Sequence, residues 1–201
     1  MIQVAGFFLW AYALGSFPTG YLLVRVLKNK DLRSLGSGST GARNAGRVLG
    51  RTGFWLTLAG DTAKGALAVG LPLWLDAPDA AVWGALAVST AAHIWPVWLR
   101  FSGGRGVAVS LGALAAANPP LLGVLALVTG IVALLTRRFQ ISGLAGFLSL
   151  PFAALALQSP AGEVIALTAL AALVLFAHRA LISQTLGRAP VPAKMESAAN
   201  E

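Results

Sequence analysis

The chain has 201 residues, 57% of them hydrophobic and only 11% charged, with no cysteine and a formal net charge of +8. Soluble domains carry about 25% charged residues, so a water-soluble globule is excluded, as are disulfides, thiolate metal sites and thiol catalysis. The mean hydropathy of +0.75 is gathered in blocks, which points to lipid as the solvent and to an all-α, polytopic membrane protein.

The first apolar block, residues 2–24, has no Lys or Arg before it and reads as a retained span rather than a cleaved signal. Gly15-Ser16-Phe17-Pro18-Thr19-Gly20 interrupts it. Proline and glycine inside a span free backbone groups that neighbouring helices must satisfy. A polar segment follows, Leu35 to Gly50, LGSGSTGARNAGRVLG, predicted as a long loop. Residues 36–41 match the dinucleotide pattern G-x-G-x-x-G, but charged KNKDLRS precedes them where a strand is required. A Walker A loop is excluded because Ala42-Arg43 stands where Lys-Ser/Thr is needed. What remains is an anion cradle: glycines permit close backbone approach, and clustered N–H groups attract negative charge. Ser37, Ser39 and Thr40 add hydroxyls, and the guanidinium forks of Arg43 and Arg47 suit phosphate oxygens.

The second block, 53–75, carries Asp61 and Lys64 at a spacing that pairs them on one helix face; ionisable groups there are costly and need a partner. The third block, 80–99, runs into Ser102-Gly103-Gly104-Arg105-Gly106, a second glycine-rich basic segment. Blocks at 106–118, 120–136, 142–158 and 162–178 complete a predicted set of seven spans, the fourth cut short by Asn118-Pro119-Pro120. Residues 1–188 therefore form one seven-span domain, and APVPAKMESAANE, residues 189–201, reads as a mobile tail.

Charge orients these spans. With the N-terminus outside, every Lys and Arg except Lys64 falls on inner loops, whereas the outer loops carry only Asp76, Asp79 and Glu163. That asymmetry follows the positive-inside rule and places both glycine-rich segments, the RRFQIS turn and the His178-Arg179 pair on the cytoplasmic face. The basic balance is thus topological. Nucleic-acid binding is not expected, since no aromatic residues interleave with the charge. His93 and His178, the only histidines, lie toward the same face without the carboxylate cluster a metal site would need.

Taken in order, these segments resemble the acyl-phosphate-dependent glycerol-3-phosphate acyltransferases, the PlsY family. "GSFPTGYL" resembles the family's kinked first helix, and "DLRSLGSGSTGARNAGRVLG" its first motif, G-S-G-N-x-G-A-T-N-x-x-R. "DTAKG" matches D-x-x-K-G, "AHIWPVWLRFSGGRGVAVSLG" resembles the run ending in K-G-G-K-G-V-A-T, and "HRALI" resembles H-R-x-N-I. The resemblance implies a seven-span enzyme of the bacterial inner membrane, with its site facing the cytoplasm. Such an enzyme transfers a fatty acyl group from acyl phosphate to the 1-hydroxyl of glycerol 3-phosphate, releasing phosphate and lysophosphatidic acid. It implies no cofactor and no metal, a membrane-lipid environment, and family proposals in which a substrate phosphate acts as the base; a monomer is expected. Carried over by motif, the catalytic set is Ser37, Arg47, Arg105 and His178. The substrate-binding set is Ser39, Arg43, Asn44, Gly103, Gly104, Gly106, Ser142 and Arg179.

The chain departs from the family pattern at several positions. Ser39 stands for Asn, Arg43 for Thr, Ser102 and Arg105 for lysines, Val109 for Thr, and Leu181 for a phosphate-binding Asn; Ser142 fits only with a one-residue shift. Two readings follow. One is an active acyltransferase in which Arg43 and Arg105 offset the missing contacts. The other is a divergent paralogue with another acceptor or no catalysis. A small-anion transporter is a more distant reading, opposed by the lack of an inverted repeat.

Overall fold

The computed structural model describes residues 2–185 and Gly187; the expected tail at 189–201 lies outside the described residues. Among them, every regular element is helical, and each of the seven predicted blocks coincides with helix. Helices α1 (Ile2–Ser16) and α2 (Thr19–Lys28) share the first block and are parted at Phe17-Pro18. The Phe17 carbonyl, left without a helical partner there, accepts from Lys64 Nζ at 2.6 Å. Asn29, in the left-handed region, closes α2 by donating to the Arg25 carbonyl.

Helix α3 (Ala42–Trp74) has 33 residues. It starts inside the segment predicted as a loop, so that expectation is corrected: only the glycine-rich half is loop, and ARNAGRVLG is helical. The misreading has a physical source, since arginines and glycines depress hydropathy without preventing a helix that an N-terminal glycine turn initiates. Gly50 breaks the ladder with φ 70° and ψ −161°. This bend sets the first turns of α3 at an angle to the rest.

Helices α4 (Asp79–Ile94), α5 (Val107–Ala117), α6 (Pro119–Thr136), α7 (Phe139–Ala156), α8 (Ala161–Ala177) and α9 (Arg179–Thr185) follow. The Asn118-Pro119-Pro120 interruption is a helix start: Asn118 Oδ1 accepts the Leu121 N–H at 3.2 Å, and its Nδ2 donates to Glu163 Oε1 at 2.9 Å. Among the described residues, four segments are long and apolar enough to cross a membrane, five if α8 and α9, bent by 65°, count as one. With 11 residues, α5 is about 16 Å long at 1.5 Å per residue, too short to cross alone. Helix α3 is long enough but carries buried Thr57, Asp61 and Lys64.

The core lies between α4, α5, α6, α7 and α8, where Leu86, Leu114, Leu121, Phe147, Leu150 and Leu167 are fully or almost fully buried. Leu127, Leu134, Leu135, Phe139 and Phe152 stay exposed, as expected where lipid tails are the solvent. Helices α3 and α5 cross in backbone contact. A Cβ on Gly65 would strike the Val109 carbonyl, and one on Gly112 the Thr62 carbonyl, the small-residue packing typical of membrane helices.

Candidate functional site

Both glycine-rich segments are built from inside by polar side chains. In the first, Asn44, 1% exposed, projects from the opening turn of α3 into the loop. Its Nδ2 is shared among the carbonyls of Leu32, Leu35 and Ser39 at 3.2, 2.9 and 2.9 Å, and its Oδ1 accepts the Ser37 N–H at 3.0 Å. Gly36 is in the left-handed region, φ 52°, where a Cβ would collide with that same Oδ1. Upstream, Arg33 forks onto Asp31 at 2.7 and 3.0 Å and donates to the Leu99 carbonyl at 3.0 Å, tying the loop to the end of the third block. The Arg33 hydrogen bond holds the Asp31 carboxyl below its ordinary value.

The second segment hangs from the end of α4. Gly104 N–H donates to the His93 carbonyl at 3.0 Å and Gly103 N–H to Ile94 at 3.1 Å. Gly106, φ 82°, turns the chain into α5, and its carbonyl accepts from Ser110 Oγ at 2.7 Å, which in turn lies 3.0 Å from Thr90 Oγ1. The two loops meet through a long hydrogen bond of 3.5 Å from Thr40 N–H to the Gly103 carbonyl. Helices α3 and α5 both begin at glycines without side-chain caps. Their first N–H groups are therefore available to an anion beside the loops.

Three arginines converge here. Burial, then the nearby charges of Arg43 and Arg47, push the Arg105 guanidinium below its ordinary value. Arg43, Arg47 and Arg51 follow one another at four-residue steps and line an open groove of about 420 Å³ with Gly46, Gly50 and Phe54. His178, 7% exposed, ends α8 within electrostatic reach of Arg105 and Arg43. Its Nδ1 is 2.8 Å from the Val174 carbonyl. A proton on Nδ1 satisfies that carbonyl and leaves Nε2 as an acceptor.

The residues expected from sequence thus divide. Arg43, Arg47, Arg105, His178, Gly103, Gly104 and Gly106 come together at the joined loops. Ser37 lies in the loop with an exposed side chain, and Ser39 Oγ accepts the Gly41 N–H at 3.3 Å. Asn44 is wholly engaged in shaping the loop backbone. Ser142 is buried at the start of α7, its hydroxyl donating to the Arg138 carbonyl at 3.0 Å and lying 3.5 Å from Thr136 Oγ1. The Arg179 guanidinium stacks 4.3 Å from the Phe176 ring centroid and donates to the Phe176 carbonyl. Leu181 packs against the hydrophobic core.

Residues absent from the expected set also shape the site: Thr40, which joins the loops, Ser110 and Thr90, which fix Gly106, and His93, which lies under Gly104. For Thr90, His93 and Ser110 the signal in the sequence is polarity inside apolar blocks, which alone does not separate structural from functional groups; Thr40 stands in the polar glycine-rich segment itself.

The joined loops thus bring two uncapped helix starts and three arginines together, an arrangement suited to binding and orienting anionic groups. A family model described as glycerol-3-phosphate acyltransferase matches residues 5–187. Glycerol-3-phosphate acyltransferase 1 of Desulfitobacterium hafniense is 43% identical over 180 residues, covering 90% of this chain and 89% of that protein. Its counterpart in Moorella thermoacetica is 37% identical, covering 90% and 92%. A crystal structure of PlsY (YgiH), an integral membrane glycerol 3-phosphate acyltransferase, in its glycerol 3-phosphate form, superposes with a TM-score of 0.84. It shares 26% identity over 98% of both chains.

Proposed function

The chain belongs to the glycerol-3-phosphate acyltransferase family, and from that membership we propose that it transfers a fatty acyl group from acyl phosphate to the 1-hydroxyl of glycerol 3-phosphate. The observation that carries this reading is the convergence of Arg43, Arg47 and Arg105 on two glycine-rich loops bonded to each other. Two phosphorylated reactants need such a clamp. The acceptor hydroxyl oxygen attacks the acyl carbonyl carbon, and a C–O ester bond forms. The bond from that carbon to the phosphate oxygen breaks, and the leaving phosphate departs with the electron pair. The hydroxyl proton passes to a phosphate oxygen, so the products are lysophosphatidic acid and inorganic phosphate. Acyl phosphate is already activated, so orientation and charge stabilisation supply the catalysis. Arg105 and Arg47 carry the phosphate charge; the Ser37 hydroxyl and His178 Nε2 contact the substrates.

The same proposal places the N-terminus outside, seven spans across a bacterial inner membrane and the joined loops on the cytoplasmic side. The distribution of Lys and Arg supports it. In a lipid environment a monomer then meets its soluble acceptor from the cytoplasm and its lipid-like donor from the bilayer.

The test is turnover. Purified protein in lipid, given palmitoyl phosphate and glycerol 3-phosphate, should release phosphate and form lysophosphatidic acid in equal amounts. No turnover at millimolar substrates overturns the proposal. Phosphate release that requires a different phosphorylated acceptor identifies the altered-acceptor reading, and uptake of labelled glycerol phosphate without acylation identifies a transporter.

A further inference from the structure

The loop that presents Arg105 contains three glycines, so it cannot hold its own shape through side chains. Hydrogen bonds to the His93 and Ile94 carbonyls fasten it to the end of α4. A second support lies beneath it. The Nε2 edge of the His93 imidazole fills the space where a Cβ of Gly104 would stand. His93 is 5% exposed, and its Nδ1 lies 3.9 Å from Asp61 Oδ1.

Asp61 is braced in turn. Lys64 Nζ sits 2.9 Å from Asp61 Oδ1 and donates to the Phe17 carbonyl at the break between α1 and α2. Asp61 is 1% exposed, and its Oδ1 accepts no well-aligned hydrogen bond among the described residues. A structural ion pair with Lys64 would not require an imidazole beside it. At 3.9 Å the carboxylate lies beyond hydrogen-bond distance of Nδ1, but a buried negative charge beside the ring favours the tautomer and orientation that turn an Nδ1 proton toward it.

We propose that His93 is a positioning residue for the phosphate clamp: oriented by Asp61 through Nδ1, its ring sets the height of the Gly104 peptide and so the placement of Arg105. This rests on the reading that the Gly103–Gly106 loop grips a substrate phosphate. His93 acts through the loop, not on the reacting atoms.

The test compares His93→Phe, which keeps the ring volume but lacks Nδ1, with His93→Asn, whose amide offers a donor near the Nδ1 position. Full-length protein in lipid is assayed for kcat and KM with both substrates, and for the Kd of inorganic phosphate. His93→Phe should lower kcat/KM about 10–100-fold, the scale of a misplaced positioning element, and weaken phosphate binding. His93→Asn, which keeps a donor but leaves no ring under Gly104, should be impaired further in both. Wild-type kcat/KM in His93→Phe, or equal impairment of the two variants, overturns the proposal.

If the wild type itself does not turn over, the functional reading fails, and the phosphate Kd alone decides. Weaker binding in His93→Asn than in His93→Phe sustains the positioning role; equal affinities sink it. A double-mutant cycle covers the case in which His93→Phe does not fold. Gly104→Ala should be damaging with His93 present and much less so in a His93→Ala background, because the ring it strikes is gone. Additive effects would show that ring and loop are not coupled.

Discussion

Asn44 gives its whole carboxamide to the backbone of one loop, with three carbonyls on its nitrogen and one amide on its oxygen. Asn44→Asp turns an acceptor toward those three carbonyls in a buried position. It should destabilise by at least about 2 kcal/mol and by more than Asn44→Ala, read as the fall in Tm of the solubilised protein. An unchanged Tm would return Asn44 to the role of a direct phosphate ligand. Arg105 makes the opposite case, since among the described residues its side chain makes no hydrogen bond or ion pair that shapes a loop. Arg105→Ala should lower kcat/KM roughly 10²-fold with Tm nearly constant, whereas Arg105→Lys keeps the charge and should retain much of the rate. Wild-type turnover in Arg105→Ala would remove it from the site. That Arg43, Arg47 and Arg105 lie together was legible, because each stands in or beside one of the two glycine-rich segments of an otherwise apolar chain. The duty of Asn44 was not: a motif residue that binds backbone and one that binds substrate look identical in sequence. Arg179 was hidden similarly, for nothing local indicates that Phe176 takes its guanidinium.

At the scale of elements, two glycines of α3 offer a controlled contrast. Gly50 has open space where a Cβ would project but a backbone conformation nearly reserved for glycine, φ 70° with ψ −161°. Gly65 is conformationally ordinary, but a Cβ there would strike the Val109 carbonyl of α5. Gly50→Ala should cost about 1–3 kcal/mol and, by straightening α3, swing Arg43 and Arg47 away from Arg105, so activity falls more than Tm. Gly65→Ala should wedge α3 from α5 and lower Tm more than Gly50→Ala does. The reverse order in a thermal-unfolding and turnover comparison would contradict both assignments. The seven helical blocks were legible because lipid imposes long apolar runs. The start of α3 at Ala42 was not, since arginine and glycine lowered the hydropathy of a segment that helix geometry still accommodates. The Gly50 bend is equally invisible, because a glycine in sequence does not disclose its φ.

Across the whole molecule, the proposed orientation is open to a direct measurement, because the chain has no native cysteine. Single cysteines at exposed Lys30 and Gln158 should label oppositely in intact cells. A membrane-impermeant maleimide is expected to reach Gln158→Cys and to reach Lys30→Cys only after permeabilisation; the opposite pattern would invert the topology. The joined loops have a further consequence at this scale. Among the described residues no carboxylate forms an ion pair with Arg43, Arg47 or Arg105. Their charge is therefore uncompensated and extends into the solvent over about one Debye length, roughly 8 Å at physiological ionic strength. A phosphate dianion is drawn in before it touches any residue, and the same field draws every other small anion in the compartment. Under the proposed function, added salt should slow capture of the acceptor, and the released phosphate should compete for the seat it has just left.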